Sequence, residues 1–195
     1  MSKHEKKSLN DIHEYWKHKS EPETYIKPKK RSEFLGKYVK KYAKSPDSIL
    51  EIGCNVGRNL NYLYQEGYHK LTGIEISDEA VKLLKKTYPA MAKQAEIICS
   101  PIEEIIQTIP ESNYHLAFTM AVLEHIHPDS EWVFEEIARV TGQYLITIEA
   151  EEAENWRLFP RNYRKVFEKY GLKQIEESNC KDAGLELYTL RIFSK

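Results

Sequence analysis

Three groups of residues in this 195-residue chain have the types and spacing to do chemistry. The first is "SILEIGCNVGRNL", residues 48–60, where an apolar run ends in Glu51 and Ile52 and two glycines, Gly53 and Gly57, frame a short loop. Glycine lets a backbone approach a ligand closely and take positive φ without strain. Asn55, between them, is the residue type that best replaces glycine in a left-handed conformation. The second is Glu75, 24 residues after Glu51 and at the end of "LTGIEI". An acid about 20 residues beyond a glycine loop is placed to accept hydrogen bonds from ribose hydroxyls, and its two oxygens suit a cis-diol. The third is "LEHIHP", which groups Glu124, His125 and His127. An imidazole with a pKa near ~6.5 suits proton abstraction, so both histidines are candidate bases. Packing of His125 under the loop and solvation of His127 are the competing readings, and Glu124 could instead cap neighbouring amides.

These groups need elements to hold them. "LNDIHEYWKH" and "KRSEFLGKYVKKYAK" have helical spacing of apolar residues. Strand and helix signals then alternate: "SILEIG" strand, "GRNLNYLYQEG" helix, "KLTGIEI" strand, "DEAVKLLKKTY" helix with Ser77 as N-cap and Pro89 beyond its end. "AEIICS", "IEEIIQTI", "YHLAFTM", "DSEWVFEEIARV" and "GQYLITIEA" continue the alternation, and "PRNYRKVFEKYG" is a helix with Pro160 near its start. Such alternation predicts an α/β fold, a mostly parallel sheet covered on both faces. "LKQIEES" and "LELYTLRIFS" have no helix between them, so they should pair as a hairpin with the last strand antiparallel. In open parallel sheets, ligands bind beyond the carboxyl ends of the strands, which is where Gly53, Glu75 and His125 fall. A dinucleotide needs a pyrophosphate cradle with Gly-x-Gly-x-x-Gly spacing; "GCNVGR" lacks it.

Taken together these stretches resemble the class I S-adenosylmethionine-dependent methyltransferases over roughly residues 30–195. "ILEIGCNVGRNL" is similar to their first motif, "LTGIEIS" to the second, and "YHLAFTMAVLEHIHP" to the fourth-strand motif, whose Leu-Glu-His is typical of small-molecule members. The resemblance implies a three-layer Rossmann-like seven-stranded sheet with an antiparallel last strand, preceded by N-terminal helices. It implies S-adenosylmethionine as cofactor, with Glu51, Gly53, Asn55 and Gly57 in the loop, Glu75 on the ribose and Ile76 beside the adenine. The chain departs from the family pattern after the third strand, where Ser100 and Pro101 stand in place of an acid; adenine recognition then falls to Ser100, backbone atoms, Ile76 and Ile102. The cofactor carboxylate needs a cation, for which Arg31 and Arg58 compete, with solvent exposure as the other reading of Arg58. The Glu-x-x-Glu-His of metal-assisted members is incomplete, because Ala121 holds the first position; no metal is expected. His125-x-His127 is not zinc spacing by itself.

Residues 1–44 carry 13 Lys/Arg against 6 Asp/Glu, a net of +7, in a chain of net charge −1, so the rest carries −8. We read 1–44 as a helical arm or lid and 45–195 as the cofactor-binding domain, with residues 1–8 disordered. Within the arm, Trp16 and Tyr25 are expected to face the cofactor or acceptor when residues 9–31 close over the site; the rival reading docks this helix permanently elsewhere. Trp156, Arg157, Arg161 and Tyr163 could bind an acidic or planar acceptor, or the aromatics could simply pack. No Asn/Asp-Pro-Pro-aromatic clamp for a flipped base follows the fourth strand, which argues against nucleic acid and for a small-molecule acceptor methylated on O or N. A cofactor-binding sensor or partner module without methyl transfer is the alternative. No apolar run approaches the ~18 residues of a membrane span, no apolar core follows the basic N-terminus as in a secretory signal, and three scattered cysteines fit a reducing cytoplasm. The oligomeric state is left open.

Overall fold

The computed structural model describes residues 7–19, 21–27 and 29–195. Residues 1–6, most of the stretch expected to be disordered, lie outside that description, as does Pro28 of the connector. Residues 7 and 8 are ordered. Ser8 forms a capping box with Asp11 at the start of α1 (Leu9–His18), and the Lys7 amide donates to the Trp156 carbonyl.

Seven strands form one sheet: β1 (Ile49–Ile52), β2 (Leu71–Glu75), β3 (Glu96–Cys99), β4 (Tyr114–Met120), β5 (Thr141–Glu149), β6 (Lys173–Cys180) and β7 (Leu185–Ser194). Their order is β3-β2-β1-β4-β5-β7-β6. Every pairing from β3 to β5 is parallel, while β7 runs antiparallel to both β5 and β6. The fold is therefore the α/β architecture expected, with the C-terminal hairpin in place. Strand order reverses between β1 and β4, so the crevice at that switch point opens beyond Ile52 and Met120.

Period-two alternation sends neighbouring strand residues to opposite faces. On one face Leu116, Phe118 and Ile146 pack with Leu60, Leu63 and Leu84, and α2 (Lys29–Tyr42) adds Phe34, Leu35 and Val39 to the same core. On the other face Leu50, Ile52, Ala117 and Leu145 pack with Phe134, Ile137, Tyr163 and Phe167. The remaining helices are α3 (Arg58–Gln65), α4 (Asp78–Thr87), α5 (Pro89–Gln94), α6 (Ile102–Ile105), α7 (Trp132–Val140) and α8 (Tyr163–Lys169). Two boundaries differ from the sequence expectation. Pro89 does not merely follow α4 but opens α5 at its first turn, where its missing N–H costs nothing. The last helix starts three residues beyond Pro160, where Asn162 accepts from the Lys165 amide as N-cap.

Candidate active site

The strand ends build a cavity of about 400 Å³, within the usual range of about 300–1,000 Å³ for small-ligand sites. Its floor comes from the β1–α3 loop, with Gly53 at φ +70° and Asn55 at φ +45°. The amides of Gly53 and Cys54 both donate to the Ile74 carbonyl, at 2.8 and 3.0 Å, which ties the loop to β2. Asn55 steadies its own positive φ by accepting from the Val56 amide (2.8 Å). Its backbone N–H donates to Glu75 Oε2, and the Ser77 amide donates to Glu75 Oε1, both at 2.8 Å. One carboxylate thus clamps the loop after β1 to the start of α4. Each of its oxygens keeps a lone pair for a further donor, and burial raises its pKa.

Glu51 is a second buried acid on the cavity wall, 2 % exposed. Its Oε1 accepts from Asn59 Nδ2 (2.7 Å), while Oε2 has no hydrogen-bond partner among the described residues. Burial pushes its pKa up to about 8 against the opposing hydrogen bond from Asn59.

At the other end of the cavity Glu124, His125, Arg157 and Tyr188 meet under α1. Glu124 Oε2 accepts from the Ala150 amide (2.6 Å) and Oε1 from the Tyr188 hydroxyl (3.0 Å). His125 Nδ1 lies 3.1 Å from the Arg157 carbonyl, which can only accept, so Nδ1 carries the proton and Nε2 the lone pair. That Nε2 is 3.8 Å from Glu124 Oε1. Burial drives the His125 pKa down to about 3, keeping the ring neutral, and raises that of Glu124. Behind them Glu149, at the end of β5, accepts from the amides of Val122 and Leu123 at 3.0 Å and holds the loop after β4 in place. α1 roofs the cavity. Trp16 packs on the His125 ring at 4.5 Å between centroids, and His13 Nε2 reaches Glu103 Oε1 (3.2 Å) across the opening.

Residues 50–144 match the family described as methyltransferase domain. Just under half of the chain is thus similar to a methyltransferase domain. Among solved structures, the 1,6-didemethyltoxoflavin-N1-methyltransferase of Burkholderia thailandensis, with its substrate and S-adenosylhomocysteine bound, superposes with a TM-score of 0.70 at 14% identity, covering 95% of this chain and 86% of that one. The magnesium protoporphyrin IX methyltransferase of Synechocystis, with S-adenosylmethionine bound, gives 0.67 at 17% identity over 85% and 77%. A 4+2 cyclase gives 0.66 at 13% over 83% and 80%.

The cavity residues fit S-adenosylmethionine, the cofactor that the sequence resemblance implies. A cationic ligand suits the orphaned Oε2 of Glu51, and a ribose suits the spare lone pairs of Glu75. Ile76, Ser100, Pro101 and Ile102 form an apolar slot with one hydroxyl; the Ser100 amide is already spent on the Glu75 carbonyl (2.9 Å). Arg31 lines the cavity and has no hydrogen bond or ion pair among the described residues. Its rival Arg58 is not solvent-facing: it donates to Ser32 Oγ, the Tyr25 carbonyl and Asn59 Oδ1 at 3.0–3.2 Å.

Several expected site residues lie elsewhere. Gly57 does not line the cavity; at φ +70° it makes room for α3 against its neighbours, because a Cβ there would stand 2.6 Å from Leu84 Cδ1 and 3.0 Å from Met91 Cε. His127 caps the turn at Pro128–Ser130, accepting from the Asp129 amide (3.1 Å), with its ring against Phe159; it is off the cavity wall, because the chain turns outward after Ile126. Arg161 pairs with Glu131 (3.3 Å) over Phe134 and Phe159, also away from the cavity. Tyr163 is wholly buried among Phe134 and Phe167. The sequence reading did not find Glu103, Tyr188 or Glu149. For Glu149 the signal was present: like Glu51 and Glu75, it closes an apolar strand. Tyr188 is one of several alternating residues of β7, and nothing local marks it.

Proposed function

We propose that this protein transfers a methyl group from S-adenosylmethionine to a small-molecule acceptor, by O- or N-methylation, in the cytoplasm. The observation that carries the reading is a single cavity with two chemically distinct ends under one helical roof. Glu51, Glu75 and Arg31 supply the cofactor end, and Glu124, His125, Tyr188, Trp16 and Tyr25 the acceptor end. A roofed cavity of this volume suits a metabolite and not a polymer. When bound, the cofactor supplies an electrophilic methyl carbon with a neutral thioether as leaving group.

The chain's own residues do the positioning. Holding two reactants in line supplies much of the acceleration in such a displacement, and α1 excludes water. His125 Nε2 and Glu124 Oε1 are two acceptor atoms facing each other, so an acceptor O–H or N–H lodged there has somewhere to send its proton. A neutral imidazole held near pKa 3 is a weak base, so we give His125 the orienting role and Glu124 the proton. His127 and Arg161 take no part.

The test is incubation of the protein and S-adenosylmethionine with a fractionated metabolite extract, following S-adenosylhomocysteine and a mass gain of one methyl in a low-molecular-weight product. Cofactor binding by calorimetry with no product from any fraction would favour the sensor reading. Methyl transfer to added polynucleotide, competed away by salt, would overturn the small-molecule assignment.

A further inference from the structure

Three guanidinium groups line the cavity: Arg31, Arg58 and Arg157. Arg58 is consumed internally by Ser32, Asn59 and the Tyr25 carbonyl. S-adenosylmethionine has one carboxylate, so one arginine remains without an anion from the cofactor. Arg31 stands between the two ends, near Arg58, Tyr25 and Tyr188, while Arg157 stands near Tyr25 with its carbonyl bonded to His125 in the acceptor end.

The setting of Arg157 is unusual for a surface-loop arginine. Its guanidinium lies 5.0 Å from the Tyr15 ring, 5.3 Å from Trp16 and 5.7 Å from Trp156. Its backbone amide is fixed by Asn155 Oδ1 (2.8 Å). Yet the guanidinium has no carboxylate or carbonyl partner among the described residues. Stacking on rings holds the plane of the fork without using its N–H donors. Glu124, a cavity acid that feels the Arg157 charge, makes no ion pair with it among the described residues; its oxygens hold Tyr188 and the Ala150 amide and each keeps a lone pair for a further donor. Trp16 and Tyr25 stand beside the guanidinium, and Val122 and Leu158 add apolar surface to the same cavity.

Resting on the methyltransferase reading above, we propose that the acceptor is a small carboxylic acid with an apolar body, whose carboxylate is received by Arg157 while its O–H or N–H reaches Glu124. A planar two-oxygen anion matches the guanidinium fork. A phosphate monoester, with about two charges shared over three terminal oxygens, would call for more donors than one stacked arginine offers.

The test uses the protein saturated with S-adenosylhomocysteine and reads binding by ligand-observed NMR and calorimetry. The probes are benzoate, phenylacetate and hexanoate, their matched amides, and phenyl phosphate. At least one carboxylate should bind at least about tenfold more tightly than its amide, the scale of a charge-assisted hydrogen bond. Arg157→Gln should erase that difference, Arg157→Lys should restore part of it, and Arg31→Gln should weaken S-adenosylhomocysteine while leaving the carboxylate preference. Equal binding of acids and amides, no binding of any acid, or preference for phenyl phosphate would each overturn the proposal. Because the acid–amide comparison is made in the unmutated protein, it stands even if the Arg157 variants unfold. Failure of the unmutated protein to bind S-adenosylhomocysteine at all would instead sink the cofactor reading on which the proposal rests.

Discussion

Glu51 keeps its proton to about pH 8 because burial outweighs the hydrogen bond from Asn59. Its free oxygen faces a cavity that fits a cationic ligand, so arrival of the cofactor's ammonium should ionise it. Binding of S-adenosylmethionine at pH 7 should therefore release close to a full proton, seen as a buffer-dependent calorimetric enthalpy, and Glu51→Gln should abolish that dependence. Stability has the matching sign. Between the unfolded carboxylate value near 4.5 and the folded value near 8, the native state holds a proton that the unfolded state has lost, so stability falls as pH rises through this window. Because buried His125 contributes with the opposite sign below about pH 6.5, the check is a difference: in the ligand-free protein the melting temperature of Glu51→Gln minus that of the unmutated chain should rise from pH 5 to 8. Glu75 differs, since both its oxygens already hold backbone amides. Glu75→Ala should cost about 1–3 kcal/mol of stability through those unpaired donors and also weaken the cofactor. Unchanged affinity in the folded variant would remove Glu75 from the site.

At the scale of elements, the β1–α3 loop shows how two glycines of one motif serve different ends. Gly53 lies on the cavity wall with Val122 2.4 Å from where its Cβ would stand, while Gly57 serves packing against α4 and α5. Gly57→Val should destabilise the fold by about 1–3 kcal/mol through overpacking and the cost of positive φ, read in denaturant melts; Asn55→Gly should be tolerated. The strand–helix alternation, the final hairpin and the acids of β1 and β2 were legible because each rests on a local pattern: periodicity, an acid closing an apolar run, or glycine spacing, whereas the strand order, a matter of long-range pairing, was not. What was not legible depended on where chain ends come to rest. His127 and His125 look equivalent in "LEHIHP", yet a turn at Ile126 sends one outward to cap Pro128–Ser130. Arg58 reads as a charged residue beginning a helix, and only the return of Tyr25 and Ser32 across it reveals an internal network.

At the scale of the whole molecule, α1 contributes a single fully buried side chain, Ile12, but reaches both ends of the cavity. It is held by the His13–Glu103 contact, the Trp16–His125 stack and a long hydrogen bond from Ser77 Oγ to the Lys17 carbonyl (3.4 Å). Burial would raise the Glu103 pKa, but the His13 hydrogen bond prevails and holds it below the ordinary value. We propose that this helix is the lid. Deleting residues 1–19 should cut methyl transfer far more than it lowers the melting temperature, and cofactor with acceptor should slow proteolysis between α1 and α2. A truncated protein with full turnover would leave α1 as packing.

The same helix covers Glu103 beside the slot of Ile76, Ser100 and Ile102 and His125 at the far end. If α1 is the lid, a product cannot slip from one end while the roof stays latched at the other. Departure of both products becomes one mechanical event with a shared residence time, and if that event limits turnover, kcat will fall with solvent viscosity while the rate of a single methyl transfer within the closed protein will not.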